Sequence, residues 1–187
     1  TLGFDISESR IEELRIGNDH TFEVTSDELE RATYLNISSD PDDLSDCEIF
    51  IVTVPTPIDD VNRPNLMHIK KATEIVAKSL KKGDIVIYES TVYPGCTEEI
   101  CVPILEALSG LVYNKDFYCG YSPERINPGD KVNTLTKIKK ITSGSTPKIS
   151  IEIDNLYKSI IKAGTFSAAS IMVCLLYTSP SPRDKTV

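Results

Sequence analysis

Residues 48–54 read Glu48-Ile49-Phe50-Ile51-Val52-Thr53-Val54, an apolar and largely β-branched run without a break. Such a run fits a strand buried on both faces of a parallel sheet, and Pro55 and Pro57 end it sharply. Downstream, residues 66–80 place Ile69, Ala72, Ile75, Val76 and Leu80 at the 3.6-residue helical period, closed by Lys81, Lys82 and Gly83. Residues 84–88 predict the next strand. Residues 97–108 predict a helix whose first turn carries Glu98 and Glu99, suited to the positive end of its dipole. Residues 117–121 and 138–142 read as further strands and 149–161 as a helix. Upstream, residues 1–5 end an apolar run, and 8–15 carry Ile11 and Leu14 on one helical face before Gly17 stops it. Thr25-x-x-Glu28 is a capping box, followed by a strand-like 34–37. Strands and helices alternating at these lengths imply an α/β fold with a right-handed, parallel, doubly wound sheet.

Bulk properties narrow the function classes. A chain of 187 residues suits one domain of ordinary size, with or without an appended fragment, and 40% hydrophobic against 26% charged residues excludes a disordered or collagen-like reading. A net charge of -8 disfavours a nucleic-acid partner, because neutralising phosphates calls for a basic face. Cys47, Cys96, Cys101, Cys119 and Cys174 form no C-x-x-C pair and are odd in number, which predicts reduced thiols and a cytoplasmic protein. No His and Cys spacing matches a zinc pattern, so no metal is expected. The most apolar stretch, 168–177, is far shorter than the ~20 residues that span a bilayer, so no membrane association is expected. The chain opens inside a strand without Met, which predicts a missing N-terminal segment. From Cys174 a helix-like pattern gives way to a Ser/Pro segment without packing period, so 174–187 is expected to be a disordered or non-native tail.

In open α/β sheets ligands bind beyond the carboxyl ends of the strands, which singles out four loops. Asp5 ends a strand ahead of a helix, where a carboxylate can accept from an adenosine ribose or cap the helix; Arg10, one turn on, could reach a nucleotide phosphate or pack on adenine, against a default of solvation. In Thr53-Val54-Pro55-Thr56-Pro57 two prolines fix the backbone, as a dinucleotide-holding loop or as a plain strand terminator. In Tyr88-Glu89-Ser90-Thr91-Val92-Tyr93-Pro94-Gly95-Cys96-Thr97, the Ser90 and Thr91 hydroxyls could position a water or a nicotinamide amide. There Glu89 reads equally as a satisfied strand-end carboxylate, and Cys96, lacking an identifiable base, as structural. Tyr121-Ser122-Pro123-Glu124-Arg125-Ile126-Asn127-Pro128-Gly129-Asp130 joins a carboxylate, a guanidinium and an amide, suited to acid/base work on a polar substrate or to internal salt bridges in a surface loop.

Taken together, GFDISESRI, IFIVTVPTPID, IVIYESTVYPGCTEEICVPILE, GYSPERINPGD and IKKITSGSTP resemble, in order and spacing, the UDP-glucose/GDP-mannose dehydrogenase family, particularly its UDP-N-acetylhexosamine 6-dehydrogenase branch. The resemblance spans Gly3 to about Val173. It implies a Rossmann-like NAD-binding domain over residues 1–164, the start of a central linker helix at 165–173, and NAD as cofactor. It also implies oxidation of the C6 alcohol of a UDP-sugar to the carboxylate for polysaccharide precursor synthesis, through an enzyme-bound thioester, in a homodimeric parent. By the same resemblance Asp5 and Arg10 contact adenosine, and Thr53, Pro55 and Thr56 line the dinucleotide. Thr91 positions the catalytic water and the nicotinamide end, Glu124 acts as general base, and Glu124, Arg125 and Asn127 face the sugar nucleotide. The sequence departs from the family in lacking the first strand and its glycine-rich turn, since none of its nine glycines forms a G-x-G. No cysteine has the context of the family nucleophile either, so the fragment is expected to be inactive. The alternatives are a non-catalytic Rossmann-type nucleotide-binding or regulatory module, and a hydroxyacid dehydrogenase, which would need a catalytic His where only His20 and His68 exist.

Overall fold

The computed structural model describes residues 1–58, 64–123 and 135–178. They fall into two compact units, the first within residues 1–47 and the second from Glu48 onward.

In the first unit, strand β1 (Leu2–Phe4) pairs in parallel with β2 (Asn36–Ser38), Gly3 opposite Ile37. Between them run helices α1 (Glu8–Arg15) and α2 (Ser26–Arg31). The cap of α1 is Ser7, whose hydroxyl accepts from the Arg10 N–H at 3.3 Å. The predicted capping box forms at α2, with the Thr25 hydroxyl accepting from the Glu28 N–H and the Glu28 carboxylate accepting from the Thr25 N–H at 2.9 Å. A 3₁₀ helix, Pro41–Asp46, follows β2 and buries Leu44.

The second unit is a five-stranded sheet ordered β3 (Ile49–Val52), β4 (Ile85–Tyr88), β5 (Tyr118–Tyr121), β6 (Lys140–Gly144) and β7 (Thr165–Ser167). Helices α3 (Met67–Ser79), α4 (Val102–Ser109), α5 (Pro147–Lys158) and α6 (Ile171–Thr178) alternate with the strands. A π-helical turn, Thr97–Cys101, leads into α4, with the Val102 N–H bonded five residues back to the Thr97 carbonyl. Ile85, Ile87, Ile149, Ile153, Tyr157 and Ile161 make a buried cluster between β4 and α5, which is the 3.6-period stripe of α5 facing the sheet.

The α/β architecture follows the sequence expectation, with three corrections. The sheet is mixed: β3, β4 and β5 are parallel, β6 is antiparallel to β5, and β7 is parallel to β6. A parallel return needs a crossover, usually a helix. Strand β6 instead comes back antiparallel, entered through a short 3₁₀ helix, Leu135–Lys137. Second, β3 is not buried on both faces. It is the outermost strand of its sheet, and Ile49 and Ile51 are 43% and 44% exposed while Phe50 and Val52 are buried. Buried throughout is β4 instead. Third, the segment 165–173 begins as strand β7 and turns helical only at Ile171. Helix α6 then runs through Thr178, past the point where the tail was expected to begin, and Cys174 is buried. Residues 179–187 lie outside the described part.

Candidate functional site

Because β3, β4 and β5 are parallel, their carboxyl ends share one edge of the sheet, and the loops that leave it are hydrogen-bonded to each other. The Glu89 N–H donates to the Val52 carbonyl at 2.9 Å and the Ser122 N–H to the Tyr88 carbonyl at 3.0 Å, continuing the ladder one residue beyond β4 and β5. Past that point side chains take over. The buried Ser90 hydroxyl donates to the Val54 carbonyl at 2.6 Å, and the buried Tyr121 hydroxyl donates to the Ser90 carbonyl at 3.1 Å. The Ser122 hydroxyl donates to the Ile141 carbonyl at 2.7 Å, so β6 is tied into the same edge.

Of the predicted residues here, Thr53, Pro55 and Thr91 are exposed. The Thr56 hydroxyl oxygen is buried and has no hydrogen-bond partner among the described residues, a cost that a polar ligand would relieve. The three threonine hydroxyls at a strand-end edge therefore fit a ligand rich in ribose and phosphate oxygens. The loop after Thr91 turns through Gly95, at φ +96°, and enters the helix with the Glu99 N–H donating to the Gly95 carbonyl at 2.8 Å. Cys96 is fully buried, and its hydrogen bond with Cys101, together with burial, pushes its thiol up, away from nucleophile character. Glu124, Arg125 and Asn127 lie outside the described residues.

Sequence reasoning missed a largely buried cluster on this edge. The Glu89 carboxylate, left open above as a satisfied strand-end group, meets the Lys140 ammonium at 3.1 Å and accepts from the Tyr157 hydroxyl. The Lys140 nitrogen stands 5.5 Å from the centre of the Tyr157 ring, and Lys140 and Tyr157 are 3% and 2% exposed. Burial of Tyr157 was legible, since it continues the Ile149, Ile153 stripe. That a lysine opening β6 would point at Glu89 was not, because it depends on the antiparallel turn of that strand.

In the first unit, Asp5 is exposed at the end of β1, with one carboxylate oxygen accepting from the Ser7 N–H at 2.8 Å. It braces the turn into α1, and Ser7 is the cap. Arg10 is engaged within its own unit: it donates to Asp19 at 2.6 Å and to Glu13 at 3.1 Å. Asp19, which sequence reasoning passed over, is buried and also accepts from the N–H groups of Thr21, Glu23 and Val24 and from the Thr21 hydroxyl. Burial alone would push its carboxyl up. The hydrogen bonds from Thr21, Arg10 and Val24 outweigh burial and hold it well below the usual carboxylate range.

Among the described residues no group of three or more His, Cys, Asp or Glu side chains could hold a metal ion, and no helix is long and apolar enough to cross a membrane.

The sequence model of the UDP-glucose/GDP-mannose dehydrogenase family, NAD binding domain, matches residues 1–161. The chain is 59% identical over 172 residues to a UDP-N-acetyl-D-glucosamine 6-dehydrogenase of Pseudomonas aeruginosa, covering 92% of this chain and 41% of that protein. It is 55% identical to the Salmonella typhi protein of the same name, covering 92% and 40%. Among solved structures it superposes on the UDP-D-ManNAc dehydrogenase of Pyrococcus horikoshii with a TM-score of 0.85 at 29% identity, covering 94% of this chain and 42% of that one. The chain thus spans about two fifths of the length of the relatives it matches.

Proposed function

The chain belongs to the UDP-glucose/GDP-mannose dehydrogenase family, and from that membership we propose that it is the cofactor-binding part of an enzyme that oxidises the C6 hydroxyl of a UDP-N-acetylhexosamine to the carboxylate. The observation that carries the reading is the 59% identity to a UDP-N-acetyl-D-glucosamine 6-dehydrogenase over nearly the whole of this chain. The strand-end loops support it, because the Ser90 and Tyr121 hydroxyls knit them together and Thr53 and Thr91 stay exposed at the edge where such sheets bind nucleotides.

In this reading Thr53, Pro55 and Thr56 line NAD, with the unpartnered Thr56 hydroxyl donating to it. Thr91 orients the nicotinamide end and a water. When bound, NAD+ accepts the hydride that leaves C6. Asp5 has an exposed carboxylate suited to two ribose hydroxyls, and Arg10 offers the donors that Asp19 and Glu13 leave over to a phosphate. Glu124 takes the proton of the attacking water, and Arg125 and Asn127 contact the sugar nucleotide. The domain extends past residue 164, because β7 pairs with β6 and Cys174 of α6 is buried beside β5. The five free thiols support a reducing, cytoplasmic setting, and the enzyme works as a homodimer.

Two measurements test the reading. Calorimetric titration of the chain with NAD+ should give saturable binding that Thr56→Val weakens. An enzyme of the relatives' full length carrying these residues should form two NADH per sugar with UDP-N-acetylglucosamine or UDP-N-acetylgalactosamine; a preference for UDP-glucose or GDP-mannose would overturn the sugar assignment.

A further inference from the structure

A buried lysine and a largely buried glutamate are expensive to desolvate together, and such a pair is weak evidence for stability by itself. Its position is informative. Glu89 is the first residue after β4, and the next two are Ser90, whose hydroxyl and carbonyl are both held, and Thr91, which is exposed and has no such tether among the described residues. Five contacts converge on two consecutive residues: the Glu89 N–H on Val52, the Glu89 carboxylate on Lys140 and on Tyr157, the Ser90 hydroxyl on Val54, and the Tyr121 hydroxyl on the Ser90 carbonyl. The partners come from four different elements, β3 with its loop, β5, β6 and α5. Each oxygen of the Glu89 carboxylate has its own partner, Oε2 on Lys140 and Oε1 on Tyr157, so the side chain is fixed in rotation as well as in place. The Tyr157 ring in turn lies against the lysine, with the ammonium 5.5 Å from its centre.

From this arrangement we infer that Lys140 and Tyr157 are positioning residues: by gripping the Glu89 carboxylate they fix the backbone direction with which the chain reaches Thr91. The inference rests on the reading of Thr91 as the nicotinamide- and water-orienting residue. A misplacement of about 1 Å at such a group is enough to cost a large factor in binding or rate. An apolar contact at Glu89 would bury the same surface but would leave the rotation of the strand end free. The two-point grip on a carboxylate does not.

The test is amide hydrogen exchange followed by mass spectrometry on the 187-residue chain, with NAD+ titration in parallel. Lys140→Met alone strands a buried carboxylate and could unfold the sheet, so the decisive variants are the charge-free pair Glu89→Gln/Lys140→Met and the isosteric Tyr157→Phe, with Lys140→Arg as the conservative control. Exchange over residues 89–92 should rise about tenfold in the first two, while β4 keeps its protection and Lys140→Arg restores the wild-type rate. Unchanged exchange at 89–92 in both variants, or an equal rise throughout β4, would overturn the inference. The exchange result does not depend on cofactor. If the wild-type chain binds no NAD+, the functional reading of this chain fails while the positioning role is still decided. If it does bind, the same two variants should weaken binding at least threefold and Lys140→Arg should recover it.

Discussion

The Ser90 hydroxyl donates to the Val54 carbonyl at 2.6 Å, linking the loop that follows β4 to the loop that follows β3 across 36 positions of sequence. Both groups sit just beyond strands whose own ladder has ended, so this side-chain bond replaces the backbone bond the sheet no longer supplies. Ser90→Ala leaves a half-buried carbonyl short of a donor and should cost about 1 kcal/mol. Urea denaturation should report a lower midpoint at unchanged slope, and NAD+ affinity should fall with it. A variant as stable as wild type would mean that water satisfies Val54.

Asp19 concentrates the local interactions of the first unit, so its protonation should govern how that unit responds to acid. Its carboxyl lies below its unfolded value in the folded chain. The stability it contributes is therefore fully present above the unfolded carboxyl pKa of about 3.9 and is lost as pH falls through the lower folded value. Asp19→Asn should cost about 1–2 kcal/mol at pH 7, discounted for its partly exposed partner Arg10. The difference from wild type should stay flat above roughly pH 5 and shrink below roughly pH 4. A difference that grew on acidification would have the wrong sign for a depressed carboxyl.

How much of this was legible in sequence depended on the range of the interaction. The capping box of Thr25 and Glu28, the α5 stripe and the strand at 85–88 were readable because each is set by neighbours within a turn or a pleat. Edge exposure of Ile49 and Ile51 was not, since an outer and an inner strand carry the same β-branched run and only strand order separates them. The return direction of β6 was hidden for a similar reason. The sequence between β5 and β6 has no helical period, and weighing that absence would have argued against a parallel crossover. In the site, strand ends pointed to the right loops, but the grip of Lys140 and Tyr157 on Glu89 joins residues 51 and 68 positions apart and leaves no local signal.

Gly95 should be intolerant of any side chain for two separable reasons. Its φ of +96° is strained for an L-residue, and an added Cβ would lie 2.8 Å from the Glu99 Oε1 oxygen. Gly95→Ala should lower stability by about 1–2 kcal/mol. Shortening the neighbour in Gly95→Ala/Glu99→Ala should recover only the part due to contact. Melting temperatures of the two single variants and the double variant separate the terms; full recovery in the double variant would show that the backbone angle is not strained.

The thiols give the last prediction. Oxidation of a C6 alcohol through a thioester needs a cysteine that reaches substrate as a thiolate. Cys96, Cys101, Cys119 and Cys174 are all fully buried, and only Cys47 is partly accessible. Burial pushes the Cys119 thiol well up and the Cys174 thiol up to about 11, so both are protonated at neutral pH as well as hidden. Cys47 lies just after the 3₁₀ helix, with its N–H bonded to the Leu44 carbonyl at 3.0 Å. A thiol-specific chromogenic disulfide should therefore label one cysteine quickly in the native chain and all five only after denaturation. The same native chain, incubated with NAD+ and a UDP-N-acetylhexosamine, should produce no NADH at 340 nm. Rapid labelling of two or more native thiols, or measurable NADH formation, would show that one of these cysteines is more open than its packing allows and would reinstate it as a nucleophile.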